Sequence, residues 1–576
     1  MTDQRLPIVL FWHMHQPPYR DALSGRYVLP WTYLHAIKDY VDMASHLESV
    51  PGAKAVVNFT PVLIEQVEDL AAAVQNCLLN GTVLPDALLA TLSAEPLPAT
   101  PEERMVLLRA CLRADRENLI RRHAHFEELV KFADVVMTPA VTFSERIPWV
   151  SDQYLYDLSV WYHIAWLAES VRREDPRVAA LVAKARNFDA ADRRCLLELI
   201  GELLSGVLPR FRQLAAHGRC ELAVSPYSHP ILPLLLDFQT ARESEPAAPR
   251  PQHTAYPGGA ERVRWHLSHA RTQFERVFGH APRGCWPSEG AISDAAVRAI
   301  ETAGFDWLAT SVSILRPSLE LSGVSLPDDQ DAAERLLNRA HSLPGSELEC
   351  YFRHDAISDL IGFAYSRWHG DDAAANFAQE VGATAERTAG EPGRVLLVAL
   401  DGENAWEYYP FNGWYFLRAL YAALANHPAV RLTTLSEVVD EHRQAGITPA
   451  PLKHVRSGSW VYGTLSTWMG ERDKNLGWDL LCEAKIAYDS VLAAGRLDAA
   501  QRERAAQQLA ACEASDWYWW FGDYNPAEAV RDFDELFRHQ LTSLYSSLGL
   551  PPPAQLAQRI SIGRGAPEAG GVMRRS

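Results

Sequence analysis

The 576-residue sequence lacks long apolar runs, clusters of basic residues and closely spaced cysteines. No apolar stretch approaches the ~18 to 20 residues that a membrane-spanning helix needs, so we expect no membrane partner. The formal net charge is −17, and the Lys and Arg residues are scattered along the chain. Binding to a phosphate backbone requires a basic face, so we also expect no nucleic-acid partner.

The eight cysteines are far apart and form no CxxC pair. The first residues lack the basic-then-apolar pattern of a secretory signal. We therefore expect reduced, mostly buried thiols in a cytoplasmic protein. Nothing in the sequence distinguishes a monomer from a homodimer.

Seven short apolar runs, each ending at polar residues, predict buried strands. The segments between them show helical periodicity, as in residues 261–278, and this alternation indicates a parallel sheet with crossover helices. We predict an α/β fold, an incomplete (β/α)7 TIM-like barrel with functional groups at the carboxyl ends of its strands. The runs are Pro7–Trp12, Ala53–Phe59, Cys220–Val224, Gly284–Pro287, Asp306–Thr310, Glu349–Phe352 and Val395–Leu400.

The spacing of the strands predicts three regions. Residues 1–445 form the barrel, with a helical insertion at about 62–217. In residues 446–548 the strand pattern ends and helical periodicity dominates, which predicts a C-terminal helical domain that contributes to the cleft. Residues 549–576 are rich in Pro and Gly, and we predict a disordered tail there.

Three predicted strands are followed closely by an acidic residue: Asp401, Glu289 and Asp355. A carboxylate at the end of a dry strand loses solvation unless it meets solvent, a partner or a ligand. Two carboxylates from different strands suit glycoside hydrolysis, in which one protonates the leaving oxygen and the other attacks or activates water. The alternative for any single acid is a helix N-cap or a salt bridge.

Aromatic and polar side chains accompany these acids. Trp286 is near Glu289, and Trp406 follows Asp401 and Glu403. Flat aromatic faces stack on sugar rings, and polar groups at other strand ends can bond sugar hydroxyls. The polar candidates are His13, His15, Gln16, Asn58 and His229.

The segment WHMHQPP admits a second interpretation, which is a zinc site. His13 and His15 are two apart on a predicted strand, so their side chains project the same way and could bind zinc with Asp401. Metal-dependent deacetylases and mannosidases use similar barrels. The sequence has no clear third-ligand motif, and a histidine pair in a sugar site needs no metal, so we predict no metal and no cofactor.

Taken together, these segments make the chain similar to the family 57 glycoside hydrolases, especially their α-amylase and amylopullulanase branch. The similarity rests on five blocks in order and on a late DWYWWFGD at residues 516–523. The blocks are HQP at 15–17, GRCELAVSPY at 218–227, GCWPSE at 284–289, LDGENAWE at 400–407 and GSWVYGTLSTWMGERDKNLGW at 458–478. The similarity therefore covers nearly the whole chain.

The resemblance implies a seven-stranded barrel followed by helices, in a retaining enzyme that acts on α-1,4- or α-1,6-linked glucans such as maltodextrin, glycogen or starch. It implies Glu289 as the nucleophile and Asp401 as the general acid/base, at the ~5 to 5.5 Å carboxyl separation of retaining enzymes. It also implies that His15 contacts the sugar. Trp460 and Trp468 would wall the cleft or, equally, pack between domains.

One segment departs from the pattern of that branch. In FRHDAISDLIGF, residues 352–363, His354 stands where the branch has Asp directly after Arg. Arg353, Asp355 and Asp359 are therefore expected either to contact substrate or to make ordinary strand-end hydrogen bonds.

Three other functions stay open. A 4-α-glucanotransferase or a glucan branching enzyme shares the first half of the hydrolytic reaction and differs in what accepts the glycosyl group. A non-catalytic carbohydrate-binding protein would keep the fold without the chemistry. A metal-dependent deacetylase or mannosidase would need bound zinc.

Overall fold

The computed structural model describes residues 4–137 and 147–565. Their strands form one sheet. The strands are β1 Leu6–Met14, β2 Ala55–Phe59, β3 Cys220–Val224, β4 Gly284–Cys285, β5 Trp307–Ser311, β6 His341–Ser342, β7 Glu349–Arg353, β8 Leu396–Asp401, β9 Val430–Leu432 and β10 Ala450–Pro451.

Seven of these strands close into a parallel barrel in the order β1, β2, β3, β4, β5, β7, β8. The pairing of β8 with both β1 and β7 closes the ring. Each barrel strand overlaps one of the seven predicted runs, and the predicted (β/α)7 fold is confirmed. The short strands β6, β9 and β10 extend the sheet beside β7 and β1. Strand β10 lies beyond residue 445, where the sequence pattern predicted no further strand.

The barrel interior is packed with apolar side chains. Val9 and Phe11 of β1 belong to this core, and Phe11 packs against Trp286 with ring centroids 5.0 Å apart. Because side chains on one face of a strand recur every second residue, His13 continues the row that Val9 and Phe11 begin. The helix Leu435–Ala445 adds Leu435, Val438 and Val439 to the same core. This helix covers one end of the barrel core, so the opposite end is the one that can receive a ligand.

Helices make all the long connections of the barrel in the described residues. Between β2 and β3 the α-helices are Pro61–Asn80, Ala87–Ala90, Pro101–Ala110, Ala124–Val136, Asp152–Ala165, Glu169–Glu174, Pro176–Lys184 and Ala190–Ala216. The other α-helices around the barrel are Trp31–His35, Val41–Ser49, Leu232–Leu236, Ala241–Ser244, Gly259–Phe278, Asp294–Thr302, Val312–Leu321, Gln330–Leu337, Asp355–Asp359, Gly370–Arg387, Trp414–Ala425 and Leu435–Ala445.

A group of helices follows the barrel. It consists of Arg472–Ala493, Ala499–Cys512, Asp516–Trp520 and Ala527–Ser547. No helix in the described residues combines the length and the apolar character needed to cross a membrane. The eight cysteines are unpaired, and all of them except the partly exposed Cys195 are buried.

The chain continues past the last helix as a packed segment. Leu556 and Ile560 are buried, and the carboxylate of Asp534 accepts hydrogen bonds from the backbone N–H groups of Ile560 and Ser561, at 2.7 and 3.0 Å. These contacts differ from the disordered tail predicted for residues 549–576. Residues 566–576 of that tail lie outside the described residues.

Candidate active site

A cavity of about 410 Å³ lies where the carboxyl ends of the barrel strands meet the C-terminal helices. That volume is within the usual range for a small-molecule site. The barrel and the loop after it contribute most of the predicted site residues, and the helices supply the facing wall. The predicted residues that line the cavity are His13, His15, Gln16, Glu289, Arg353, Asp401, Glu403 and Trp460.

Five predicted site residues lie behind the cavity wall: His229, Trp286, Asp355, Trp406 and Trp468. The three tryptophans are at most 1% exposed. Trp286 belongs to the barrel core, Trp406 packs edge-on against Trp12, and Trp468 lies beside Trp519. The sugar-stacking role expected of Trp286 and Trp406 is thus corrected to a packing role, and for Trp468 the packing alternative describes its contacts.

Asp401 reaches the cavity because it ends β8. In the register of the sheet it lies opposite His13 of β1. Burial raises the pKa of its carboxyl to about 6, although the amide of Asn404 donates a hydrogen bond to Oδ2 at 3.0 Å and works in the other direction. At pH 7 about a tenth of this carboxyl therefore keeps its proton, far more than for an ordinary aspartate.

Glu289 occupies a strained turn just after β4. Its φ is +56° and that of Gly290 is +57°; the left-handed region costs a residue with a side chain about 1 to 2 kcal/mol. Neighbouring groups hold the turn, since Trp460 N–H donates to the Glu289 carbonyl at 3.2 Å and Thr310 Oγ1 donates to the Gly290 carbonyl at 2.5 Å. The indole Nε1 of Trp460 also donates to Glu289 Oε2 at 3.1 Å. The Trp460 hydrogen bonds thus fix the Glu289 carboxylate on a strained backbone. Strained backbone held in place by its neighbours is typical of functional residues.

Three histidine rings stack at the base of the cavity. The ring centroids of His15 and His229 are 3.9 Å apart, and those of His13 and His229 are 5.0 Å apart. His13 Nδ1 lies 2.6 Å from Asn58 Oδ1, and its Nε2 lies 3.2 Å from Nε2 of His229. Burial lowers the pKa of His13 to about 3 and that of His229 well below its ordinary value. These two rings are therefore neutral near pH 7 and act as hydrogen-bonding groups.

His15 joins the two sides of the cavity. Its Nδ1 lies 3.0 Å from Thr60 Oγ1, and its Nε2 lies 2.9 Å from Asp516 Oδ1 on the helix Asp516–Trp520. The ring is consequently fixed between the barrel and the C-terminal helices. Asp516 was not among the predicted site residues, although it opens the DWYWWFGD segment that carries part of the family resemblance.

The metal hypothesis can be compared with the donor geometry. Among the described residues, the potential ligand atoms of His15, His229 and Asp516 lie within 4.8 Å of one another. This group differs from the combination of His13, His15 and Asp401 that the sequence suggested. The His15 and His229 planes are only 26° apart, so their in-plane lone pairs run side by side, whereas tetrahedral zinc needs convergent donors at ~2.0 to 2.1 Å. The arrangement favours a hydrogen-bonded stack.

Arg353 and its carboxylate neighbours take different positions. Arg353 Nη2 donates to Asp359 Oδ1 at 2.7 Å, and its guanidinium lies 5.4 Å from the ring centroid of Trp460. Both Arg353 and Asp359 line the cavity. Asp355 instead accepts a hydrogen bond from Ser311 Oγ at 2.9 Å, behind the wall. Strand-end hydrogen bonding, the alternative considered from the sequence, thus describes Asp355.

Glu403 places a second acid beside Asp401. It is 2% exposed, and its Oε1 accepts hydrogen bonds from His15 N–H at 3.2 Å and from Gln16 Nε2 at 3.3 Å. Burial, and after it the charge of Asp401, raises the pKa of Glu403 well above its ordinary value. This shift favours the protonated form of Glu403, which can donate a hydrogen bond into the cavity.

The facing wall contains aromatic residues that sequence reasoning did not assign. Trp519, Trp520 and Phe533 come from the C-terminal helices, and Trp31 comes from a barrel helix. The rings of Trp520 and Phe533 are stacked at 5.0 Å. The run of aromatic residues in DWYWW was the sequence feature that could have indicated this wall. Helical periodicity alone, however, does not show which of its rings reach a cavity.

A protein-family model described as Glycosyl hydrolase family 57 matches residues 9–451. The structure is similar to a family 57 branching enzyme from Thermococcus kodakaraensis in complex with glucose, with a TM-score of 0.55 and 13% identity over 94% of this chain and 90% of that one. It is also similar to the α-amylase of Thermotoga maritima, with a TM-score of 0.53 and 13% identity over 96% and 94% of the two chains. At this identity the structural matches support the fold alone. No curated protein matches the sequence.

Proposed function

The chain belongs to glycosyl hydrolase family 57, and we propose that it is a retaining enzyme that cleaves α-1,4- or α-1,6-linked glucans. Glu289 is the nucleophile and Asp401 is the general acid/base. The observation that carries this proposal is that two carboxylates, one following β4 and one ending β8, line one cavity that also has aromatic walls.

The reaction has two steps. Glu289 attacks the anomeric carbon while Asp401 gives its proton to the departing glycosidic oxygen, so that a covalent glycosyl-enzyme forms. Asp401 then removes a proton from water or from a sugar hydroxyl, and that oxygen attacks the anomeric carbon and releases Glu289. Two inversions give overall retention of configuration.

The electrostatics of the cavity support this division of roles. A general acid must hold a proton near working pH, and burial raises the pKa of Asp401 to about 6. The indole N–H of Trp460 donates a hydrogen bond to Glu289 Oε2 and so holds the attacking carboxylate in place. Gln16 and Glu403 line the cavity and are hydrogen-bonding groups suited to sugar hydroxyls.

The stereochemistry of azide products tests these assignments. Asp401→Ala should still form the glycosyl-enzyme from a substrate with a good leaving group, and azide should then give an α-glycosyl azide. In Glu289→Ala, azide can take the place of the lost carboxylate and should give the β-glycosyl azide. The same anomer from both variants, or no product from either one, would contradict the two roles.

Hydrolysis and glycosyl transfer are distinguished by products. The proteins with similar folds include an α-amylase and branching enzymes, so 4-α-glucanotransferase or branching activity is the nearest alternative. Maltoheptaose should be converted only to shorter chains by a hydrolase, whereas a transferase also makes longer chains. New α-1,6 linkages that a debranching enzyme removes would identify branching.

Two functions of other classes have separate tests. A non-catalytic sugar-binding protein would show the same slow turnover of an activated α-glucoside with Glu289→Gln as with the wild type. A zinc-dependent deacetylase or mannosidase would lose its activity in EDTA and regain it with added zinc. We expect activity that EDTA leaves unchanged.

A further inference from the structure

The cavity that holds Glu289 and Asp401 has a neighbour of about 600 Å³. Arg113 and Glu528 line both cavities, and no other described residue does. Arg113 follows the insertion helix Pro101–Ala110, and Glu528 lies in the first turn of the C-terminal helix Ala527–Ser547. The two side chains therefore form the wall between the cavities.

This wall is an ion pair. Arg113 bonds the carboxylate of Glu528, and its Nη2 also lies 2.8 Å from Asp532 Oδ2. The side chains of Arg113 and Glu528 are 26% and 57% exposed, whereas that of Asp532 is 15% exposed. A pair this exposed to water is weak and is screened by salt, so it can open without exposing any apolar core.

The two cavities differ in what they offer a sugar chain. On the catalytic side of the pair, Trp519, Trp520 and Phe533 provide flat rings. On the other side, Arg109, Arg531 and Arg559 provide hydrogen-bond donors at the protein surface. A glucan chain that passed the ion pair would move from an aromatic wall to a groove lined by arginine side chains and by the apolar Leu112, Met137 and Ile562, which is a continuous path for an oligosaccharide.

We propose that the Arg113–Glu528 pair determines substrate length by closing one end of the glucan-binding cavity. This inference rests on the proposed function. Short α-glucans bind within the closed cavity. A long chain binds across both cavities only when the pair separates, so the pair disfavours amylose relative to maltoheptaose.

Arg113→Ala tests the proposal, with Glu528→Gln as an independent second variant. Each should raise the ratio of kcat/KM for amylose to kcat/KM for maltoheptaose by about 2- to 5-fold, the range expected for loss of an exposed pair. Arg113→Lys keeps the pair and should keep the wild-type ratio. Arg116→Ala is the matched control, because Arg116 forms an exposed ion pair with Asp134 in the same insertion and lines neither cavity.

Ionic strength provides a second readout on the unmodified protein. Added NaCl should raise the wild-type ratio toward that of Arg113→Ala and should leave the ratio of the variant unchanged. If Arg113→Ala does not fold, as judged by its melting curve, Glu528→Gln and the salt series give the answer. An unchanged ratio in the folded variants, with normal turnover of maltoheptaose, would overturn the inference alone. A wild-type protein inactive on every α-glucan would overturn the proposed function, and this inference with it.

Discussion

The two sides of the cavity are positioned by different kinds of interaction. On the barrel side, the parallel register of the sheet sets His13 opposite Asn58 of β2 and Asp401 of β8. On the helical side, Asp516 reaches the cavity from a five-residue helix through a side-chain hydrogen bond to His15. The comparison indicates that sheet register positions the two proposed reacting groups, whereas the helical side reaches the cavity only through side-chain contacts.

The largest expected effect is on the barrel side. Glu289→Gln removes the proposed attacking carboxylate and should lower kcat/KM on maltoheptaose by about 10⁴-fold or more, with little change in melting temperature. Glu407→Gln changes another carboxylate on the same cavity and should cost less than about tenfold. If both variants were equally impaired, the cavity would lack a single nucleophile at Glu289.

A smaller effect is expected at the link between the two sides. Asp516→Asn weakens the hydrogen bond that fixes His15 and should lower kcat by about 5- to 100-fold, as expected when a buried partner loses its bond. The exposed Asp523, in the same segment, provides the control Asp523→Asn. A loss in Asp516→Asn as large as that in Glu289→Gln would show that the helical side takes part in the chemistry itself.

The pH profile tests the barrel side without mutation. Because the pKa of Asp401 is raised to about 6, the protonated fraction, and kcat/KM with it, should fall about tenfold per pH unit well above pH 6. Since the folded pKa lies above the unfolded value, the stability from this group is full below about pH 4 and is lost as the pH rises through about 6.

Asn404→Ala removes the hydrogen bond that favours the charged form of Asp401. The alkaline limb of the profile should therefore move to higher pH. The exposed Asn426 gives a control, Asn426→Ala, which should leave the limb in place. If the alkaline limb of the pH profile of Asn404→Ala also stayed in place, a group other than Asp401 would supply the proton.

The smallest expected effect separates two tryptophans of the loop between the barrel and the C-terminal helices. Trp460→Phe loses the hydrogen bond to Glu289 and should lower kcat by about 2- to 10-fold with little change in melting temperature. Trp468→Phe leaves a cavity in a fully buried site and should lower stability by about 1 to 3 kcal/mol while activity stays within about twofold. If Trp460→Phe lowered stability and Trp468→Phe lowered activity, the functional role would belong to Trp468 and the packing role to Trp460.

The same contrast explains what sequence reasoning could predict. Strand ends are visible as apolar runs that stop at polar residues, so Asp401, Glu289 and His13 were found from local pattern. Burial was harder to predict. Trp286 and Trp468 lie in segments whose aromatic residues suggested contact with sugar, but both side chains pack in the interior. Asp516, Arg113 and Glu528 come together only through the docking of distant helices, which no local pattern encodes.

The departure at His354 also has a local explanation. His354 precedes the short helix Asp355–Asp359, and its Nδ1 accepts the Ile357 N–H at 3.3 Å as an N-cap. A histidine in this position satisfies the helix start that an aspartate could also satisfy. The substitution thus keeps the turn that leads from Arg353 to Asp359, and both of these residues still line the cavity.

The central place of β1 in the sheet has a consequence for biosynthesis. The strand leaves the ribosome long before its neighbours β8 and β9, which begin only at Leu396 and Val430. At ~5 to 20 residues per second, that delay is about 20 to 80 s. During this interval LPIVLFWHM is an apolar strand with an unpaired edge, which chaperones recognise and which promotes aggregation. The backbone groups of β1 that pair with β8 and β9 therefore stay open until the second half of the chain is made.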